Sequence, residues 1–428
     1  DAGAGRGGLV GRCGPAGEAA EAAALAHLQA GQGRAVFGVR PEGGLGNRLR
    51  ALASAWALAG ANGYAALVVE WVPGLECSAL LQDLLDTRSA ADVPGAPRVE
   101  LVVVSQPLQG HAAALQWAHR TDTVVQPAGL AVVPAHLVAA QRPVWVRTQL
   151  YVQARRVARG SGDASPDGFA VPLSRDAYAR ALHALLLAAD GGVLDLAHAV
   201  VADAGAAGGG APQGTAGPAA VGVHVRMSAN ESALVRGLAD LAQRAPQSLE
   251  LRGLNWDSRD HQRGLAQRRG ECHWRHFVQP TQQHLAEHPN DTAVVACDSV
   301  ACARGLQAAL GPGVRERVRS VALALPPELT GPCETDSRSA RCQRIALAEM
   351  IALARTRRLL ASQPSSFSDG ARFGQLGAFL AATQPTGEGG DAIGGPASQW
   401  PVDTPDPFAR THIVCGSALP FDRIFSGA

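Results

Sequence analysis

With 428 residues, 46% of them hydrophobic and 18% charged, the chain can bury more than one core, which excludes a largely disordered protein. Its formal net charge is +1 and its cations are spread out, so neither nucleic acid nor an anionic membrane surface is an expected partner, and a small or glycan-type substrate fits better. All 38 cationic residues are arginine, which rules out a Schiff-base lysine and a P-loop lysine.

Residues 1–34 are rich in Gly and Ala, carry a short Ala-Glu helical patch, and read as a leader or stem. Asp1 comes first and no charged-then-apolar leader follows, so any signal peptide or membrane anchor is expected to be absent from this chain. Order is predicted from Ala35 onward. AVFGV (35–39) reads as a buried strand, 43–46 as a glycine turn, 48–60 as a helix and AALVVEW (65–71) as the next strand, together a βαβ unit of a parallel sheet. The uncharged run from Ala51 to Val69 is long enough to span a membrane, but Ser54, Asn62, Gly60 and Gly63 favour helix, turn and strand. ELVVV (100–104) and VWVRTQ (144–149) are further strands, and a helix is predicted over 175–188.

Residues 203–218 lack periodicity and are glycine-rich, as in a flexible linker. Alternation then restarts: AVGVHVRM (220–227) as strand, 274–287 as helix, TAVVAC (292–297) as strand, 300–310 as helix and VRSVAL (318–323) as strand. A helix is predicted over 341–358 with three arginines in its last turn, followed by the strand LLAS (359–362). Beyond 385 the Gly/Pro content predicts extended covering structure. The fold class is therefore α/β, with two doubly wound, Rossmann-like halves around a linker.

In open α/β sheets ligands bind beyond the carboxyl ends of the strands, and three motifs sit there. In PEGGLGNRLRAL (41–52), Gly43, Gly44 and Gly46 permit positive φ and close approach to a ligand, while Asn47 is placed to cap the helix and offer an amide. In VGVHVRM (221–227), His224 and Arg226 share one face of a strand end, where the guanidinium either grips a diphosphate bidentately or closes a buried salt bridge. In SQPSSFSDGARFGQLG (362–377), Ser365, Ser366 and Ser368 open a helix, as caps or as ligand contacts. Asp298, directly after TAVVAC, carries the same choice between N-cap and nucleotide contact.

Taken together, in this order and spacing, the glycine loop with Asn-Arg, the His-x-Arg, the Asp-Ser after a strand and the Ser-Ser-Phe-Ser resemble the GDP-fucose-dependent fucosyltransferases over roughly 35–380. That resemblance implies a GT-B fold whose two Rossmann-like domains face a central cleft: an acceptor-side domain over 35–202 and a nucleotide-sugar-binding domain over 219–385, with a C-terminal extension over 386–428. It implies metal-independent, inverting transfer of L-fucose from GDP-fucose, the nucleotide sugar serving as donor substrate, to a glycan or glycoprotein acceptor in the Golgi or endoplasmic reticulum lumen. By motif, Arg226 would hold the β-phosphate, His224 and Asp298 would line the nucleotide site, and Ser365, Ser366, Phe367 and Ser368 would form the turn against the diphosphate or guanosine. Asn47 would lie near the reacting sugar. Related motifs often read His-x-Arg-Arg-x-Asp, whereas Met227, Ser228 and Ala229 follow here, so a second cation is missing or comes from elsewhere, Arg48 being the candidate.

No general base is evident. Glu42, Glu70 and Asp257 are loop or strand-end carboxylates that read mainly as structural. His261, Cys272, His273 and His276 lack zinc-site spacing, so no metal is expected. Eight cysteines suit four disulfides in an oxidising compartment, with Cys333–Cys342 as the expected local pair and Cys297 with Cys302 either paired or two buried thiols. Of two N-glycosylation sequons, Asn290 lies in a polar turn and is the credible acceptor, while Asn230 adjoins the proposed cleft and is expected to stay unmodified.

Overall fold

The structure is a computed structural model, and it describes residues 35–74, 76–105, 119–123, 130–155, 170–206, 220–226, 272–335, 339–362, 365–382, 411–415 and 425. Asn230, Asp257, His261 and the leader over 1–34 lie outside those residues.

The strands are β1 (Val36–Pro41), β2 (Ala66–Glu70), β3 (Glu100–Val104), β4 (His119–Thr123), β5 (Leu130–Pro134), β6 (Val144–Thr148), β7 (Tyr151–Arg155), β8 (Ala220–Val225), β9 (Thr292–Cys297), β10 (Val318–Arg319), β11 (Arg358–Ser362) and β12 (Thr411–Cys415). The longer helices are α1 (Leu45–Ala61), α2 (Arg175–Leu187), α3 (Gly191–Ala206), α4 (Val278–Glu287), α5 (Val300–Ala309), α6 (Ala340–Ala354) and α7 (Ser366–Ala382). Two five-stranded sheets result, ordered β3-β2-β1-β6-β4 and β10-β9-β8-β11-β12, with β5 and β7 pairing separately. Every ladder is parallel, for example Phe37↔Leu67, Val225↔Cys297 and Ala361↔His224.

In each sheet the chain builds outward from one central strand and then returns to that strand's other side. The reversal falls between β1 and β6 in the first sheet and between β8 and β11 in the second. Loops leaving two strands in opposite directions open a crevice at their carboxyl ends, which is where such sheets take ligands.

The predicted βαβ unit over 35–71 is present. Strands at 100–104, 144–148, 292–297 and 358–362 and the helices over 175–187 and 300–309 also stand where the periodicity put them. Three expectations are corrected. VRSVAL is a two-residue strand followed by a helical turn, Val321–Ala324. The helix predicted to run to Arg358 ends at Ala354, because Arg355 has φ −96° and ψ 1° and Arg358 already belongs to β11. Past 385, where extended structure is expected, β12 is an edge strand parallel to β11. The linker assigned to 203–218 is helical through Ala206, and 207–218 lie outside the described residues.

The second sheet has two apolar faces of alternating residues. Val221, Val223, Val225, Val295 and Leu360 pack in one cluster with Phe277 and Leu306. Val294, Ala296, Leu359 and Ala361 face the other way, into a cluster that also holds Leu347 and Met350 of α6, Phe373 of α7, Leu182 of α2, and Phe37 and Val39 of the first sheet. One apolar core thus runs from one sheet through a shared helical layer to the other. An aromatic group at its centre has Tyr151 and Tyr178 edge-on at 5.1 Å and Tyr178 and Phe373 at 4.7 Å.

Among the described residues no helix is long and apolar enough to cross a membrane, and the run from Ala51 to Val69 is helix, turn and strand. Among the described residues two disulfides are present, Cys333–Cys342 as expected and Cys272–Cys415 between distant segments. The expectation of four does not hold, because Cys297 and Cys302 are free thiols among the described cysteines.

Candidate functional site

The second sheet's switch point carries the His-x-Arg motif. His224 is the penultimate residue of β8 and points to the α7 side of the sheet, since its neighbours Val223 and Val225 are committed to the opposite face. Its ring is buried, stacks on Phe367 at 4.7 Å, and lies 2.6 Å from Ser368 Oγ through Nδ1. The Ser368 hydroxyl donates to Ser362 O at 2.9 Å, so its oxygen must accept, and the proton between them belongs to His224 Nδ1. Burial, with the Arg226 charge adding to it, pushes the His224 pKa down to about 3, so the ring is neutral at physiological pH and Nε2 carries the lone pair.

Arg226 is one residue past β8. Ser362 Oγ, at the end of β11, accepts its backbone N–H at 2.8 Å and donates back to His224 O at 3.2 Å, tying the two strand ends together. The guanidinium gives one N–H to Asp298 Oδ1 at 3.0 Å. The two partners differ in exposure: the Arg226 side chain is 41% accessible and that of Asp298 only 7%. Arg226 is therefore anchored on one edge and accessible on the rest. Asp298 does not cap α5. Ser299 does, its Oγ accepting from Cys302 N at 3.1 Å.

The serine turn and the glycine loop meet. A Cβ placed on Gly46 would lie 2.8 Å from Ser366 Oγ and 3.1 Å from Phe367 N, so only glycine lets the start of α1 approach the start of α7 this closely. Two helix N-termini thus lie side by side near the end of β8. Gly43 has φ +80° and needs glycine for that reason. Gly44 has φ −71°, so positive φ, expected of all three glycines, holds for Gly43 alone.

Several site expectations change with the side chains in view. Ser365 is the cap of α7, its Oγ accepting from Phe367 N at 3.3 Å. Ser368 is fully buried, and its hydroxyl is engaged by His224 and Ser362 O. Arg48 does not furnish the second cation: it is buried, donates from Nε to Gly43 O at 2.9 Å and from NH1 to Val72 O at 2.7 Å, and lies over Trp71. Asn47 is the third residue of α1, not its cap. Its Oδ1 accepts from Arg50 NH2 at 2.8 Å, which turns its Nδ2 toward Gln149 Oε1 at 3.4 Å.

No family model and no curated protein sequence matches this chain. Among solved structures, a variant of Arabidopsis thaliana FUT1 in complex with GDP is similar at 12% identity and a TM-score of 0.38, over 85% of this chain and 74% of that one. POFUT1 in complex with GDP is similar at 10% identity and a TM-score of 0.38, over 80% and 94%. POFUT1 in complex with GDP-fucose is similar at 11% identity and a TM-score of 0.37, over 79% and 94%. These likenesses fall short of fixing fold or function, and the chemistry of the site rests on its own residues.

Of the carboxylates considered as bases, Glu42 and Glu70 are occupied. Glu42 Oε1 accepts from Arg40 Nε and from Arg147 Nε, each at 2.8 Å, and buried Glu70 accepts from Arg40 NH1 at 3.0 Å and Trp145 Nε1 at 3.3 Å. Behind Asp298, burial, aided by the Asp298 charge, pushes Glu349 up to about 8, so it adds no charge near Arg226 at neutral pH. No cluster of three or more His, Cys, Asp or Glu suited to a metal occurs among the described residues, and Cys272 of the sequence's histidine-cysteine group is in a disulfide.

Sequence reasoning did not single out Ser362, Arg50, Gln149 or Ser299. Ser362 was detectable as the last residue of a strand facing the switch point. Arg50 and Gln149 were not, because their pairing joins positions 99 residues apart.

Proposed function

We propose that this chain is a glycosyltransferase of GT-B type that holds a nucleotide sugar, GDP-fucose foremost, beyond the carboxyl ends of β8, β9 and β11, and transfers the sugar with inversion to a glycan or protein hydroxyl. The observation that carries the reading is Arg226, a guanidinium at a topological switch point, fixed on one side by Asp298 and open on the other. It stands where a strand end, a helix N-terminus and the glycine loop come together. The choice of fucose comes from the motif resemblance, as does a lumenal setting in the Golgi or endoplasmic reticulum, and the disulfides agree with an oxidising compartment.

In such a reaction an acceptor hydroxyl attacks the anomeric carbon as the bond to the diphosphate breaks. Negative charge grows on the β-phosphate. Arg226 and the backbone N–H groups opening α7 are oriented beforehand toward that charge, so they stabilise the transition state more than the ground state. Neutral His224, with Nε2 as an acceptor, suits a ribose or sugar hydroxyl and not a phosphate. Asn47, oriented by Arg50, presents its amide on the glycine-loop side.

A second reading is favoured by one observation: Arg48 is spent on backbone carbonyls, and both Glu42 and Glu70 are ion-paired. A chain that binds a nucleotide sugar without turning it over would look the same. Titration with GDP and GDP-fucose, followed by assay of donor hydrolysis, separates the two. Arg226→Ala is expected to weaken GDP by about 100-fold, as for a lost charge-assisted phosphate contact. Absence of GDP binding by the parent protein at millimolar concentration overturns both readings, whereas binding without hydrolysis or transfer selects the second.

A further inference from the structure

β9 and β11 carry polar or charged residues at both ends. At their carboxyl ends stand Asp298 and Ser362, already placed beside Arg226. At the amino ends, Asp291 precedes β9, and Arg357 and Arg358 lead into β11. With His284 and His288 from the end of α4 and His412 from β12 they line a cavity of about 450 Å³. The five residues of β11 set the two ends roughly 13 Å apart, so this cavity is separate from the crevice described above.

The charges within it do not cancel. Asp291 is nearly buried and accepts from His284 Nε2 at 2.9 Å and from Arg357 NH2 at 3.1 Å. Burial works against its ionisation, but the His284 bond and the Arg357 charge prevail and hold its carboxyl below the usual range. Because Nε2 of His284 donates to Asp291, Nδ1 is an acceptor and faces Arg358 NH1 at 3.5 Å. One carboxylate is thus set against two guanidiniums from consecutive residues. Arg357 keeps 46% of its side chain accessible. The exposed imidazoles of His288 and His412 stand at the rim.

We infer that this groove binds a phosphate or sulfate ester carried on a saccharide. Two guanidiniums from consecutive residues at the amino end of β11 match a group with three terminal oxygens. A metal ion is disfavoured, because the carboxylate is engaged and arginines occupy the wall. The volume lies within the range of small-ligand sites and leaves room for a sugar ring beside the anion. The inference does not depend on the nucleotide-sugar reading.

The test is calorimetric titration of the full chain, with and without GDP, against glucose 6-phosphate, a sulfated heparin disaccharide, inorganic phosphate and an uncharged disaccharide. The expected result is salt-sensitive binding of an ester, tighter than inorganic phosphate, with no binding of the uncharged sugar. The preferred ester identifies the source as phosphorylated or sulfated. Arg357→Gln and Arg358→Gln should each weaken binding about tenfold. His412→Ala, a change on an exposed edge strand that leaves the fold intact, should weaken it about two- to threefold. Arg226→Ala should leave it unchanged. Equal affinity for the uncharged sugar, no binding of either ester, indifference to all three groove variants, or loss in Arg226→Ala would each overturn the proposal.

Discussion

Three arginines near the crevice have three different fates, and helix phase decides two of them. Arg48 and Arg50 are two residues apart on α1, hence about 200° apart around its axis. One turns back onto the Gly43 and Val72 carbonyls, and the other reaches Asn47 and the carbonyl of Gln149. Arg226 lies past a strand end, where local geometry already points it off the sheet, and its position was therefore the easiest to foresee. Glu349 was not foreseen at all, because a glutamate on a helix reads as solvent-facing until the neighbouring layers are known. Its folded-state pKa of about 8 lies above the ordinary glutamate value, so the folded protein holds a proton that the unfolded chain gives up as pH rises. Stability should therefore fall across roughly pH 4.5–8 on this account. Glu349→Gln is expected to raise the melting temperature by a few degrees at pH 8 and hardly at all at pH 5, as read by thermal unfolding at both. An equal gain at the two values would mean that the carboxyl is ionised in the fold.

At the scale of elements, the contact that joins the motifs is between helix starts. Gly46 at the opening of α1 lies against Ser366 and Phe367 at the opening of α7, with no room for a methyl group. Gly46→Ala must move one of these turns, at a cost of about 1–3 kcal/mol. Because the moved turn bears the helix N-terminus next to Arg226, GDP affinity should fall along with stability. Unchanged affinity in a destabilised protein would separate the turn from the site. The periodicity of α1, α2 and β9 made these elements legible, since each buries one face or both. It failed at 318–323, where β-branched residues read as a strand but only Val318 and Arg319 find a partner in β9. It failed again at 355–358, where the arginines continue a helical composition although the chain has already turned into β11.

For the molecule as a whole, Cys272–Cys415 closes a segment of 143 residues and fastens edge strand β12, which the Gly/Pro-rich composition around it did not announce. In the chain-entropy view such a closure stabilises by about 5 kcal/mol, against about 3 kcal/mol for the nine-residue span of Cys333–Cys342. Cys415→Ser should thus lower the melting temperature more than Cys333→Ser, and β12 amides should lose hydrogen-exchange protection only in the former. The reverse ranking would mean that β12 is held by its ladder alone.

Alternating apolar stretches determined by themselves that the chain is α/β with parallel sheets, since buried strands separated by amphipathic helices have few other ways to hide their apolar faces. The same reading placed the three motifs at strand ends. Tertiary structure alone decided which of their side chains face the crevice and which hold it in shape, as with Ser368 behind His224 and Arg48 beneath Gly43. The physical reason is that hydrogen-bond partners such as Ser362 and His224, or Arg50 and Gln149, are brought together by packing across about a hundred residues, whereas a sequence pattern reports only the neighbourhood along the chain.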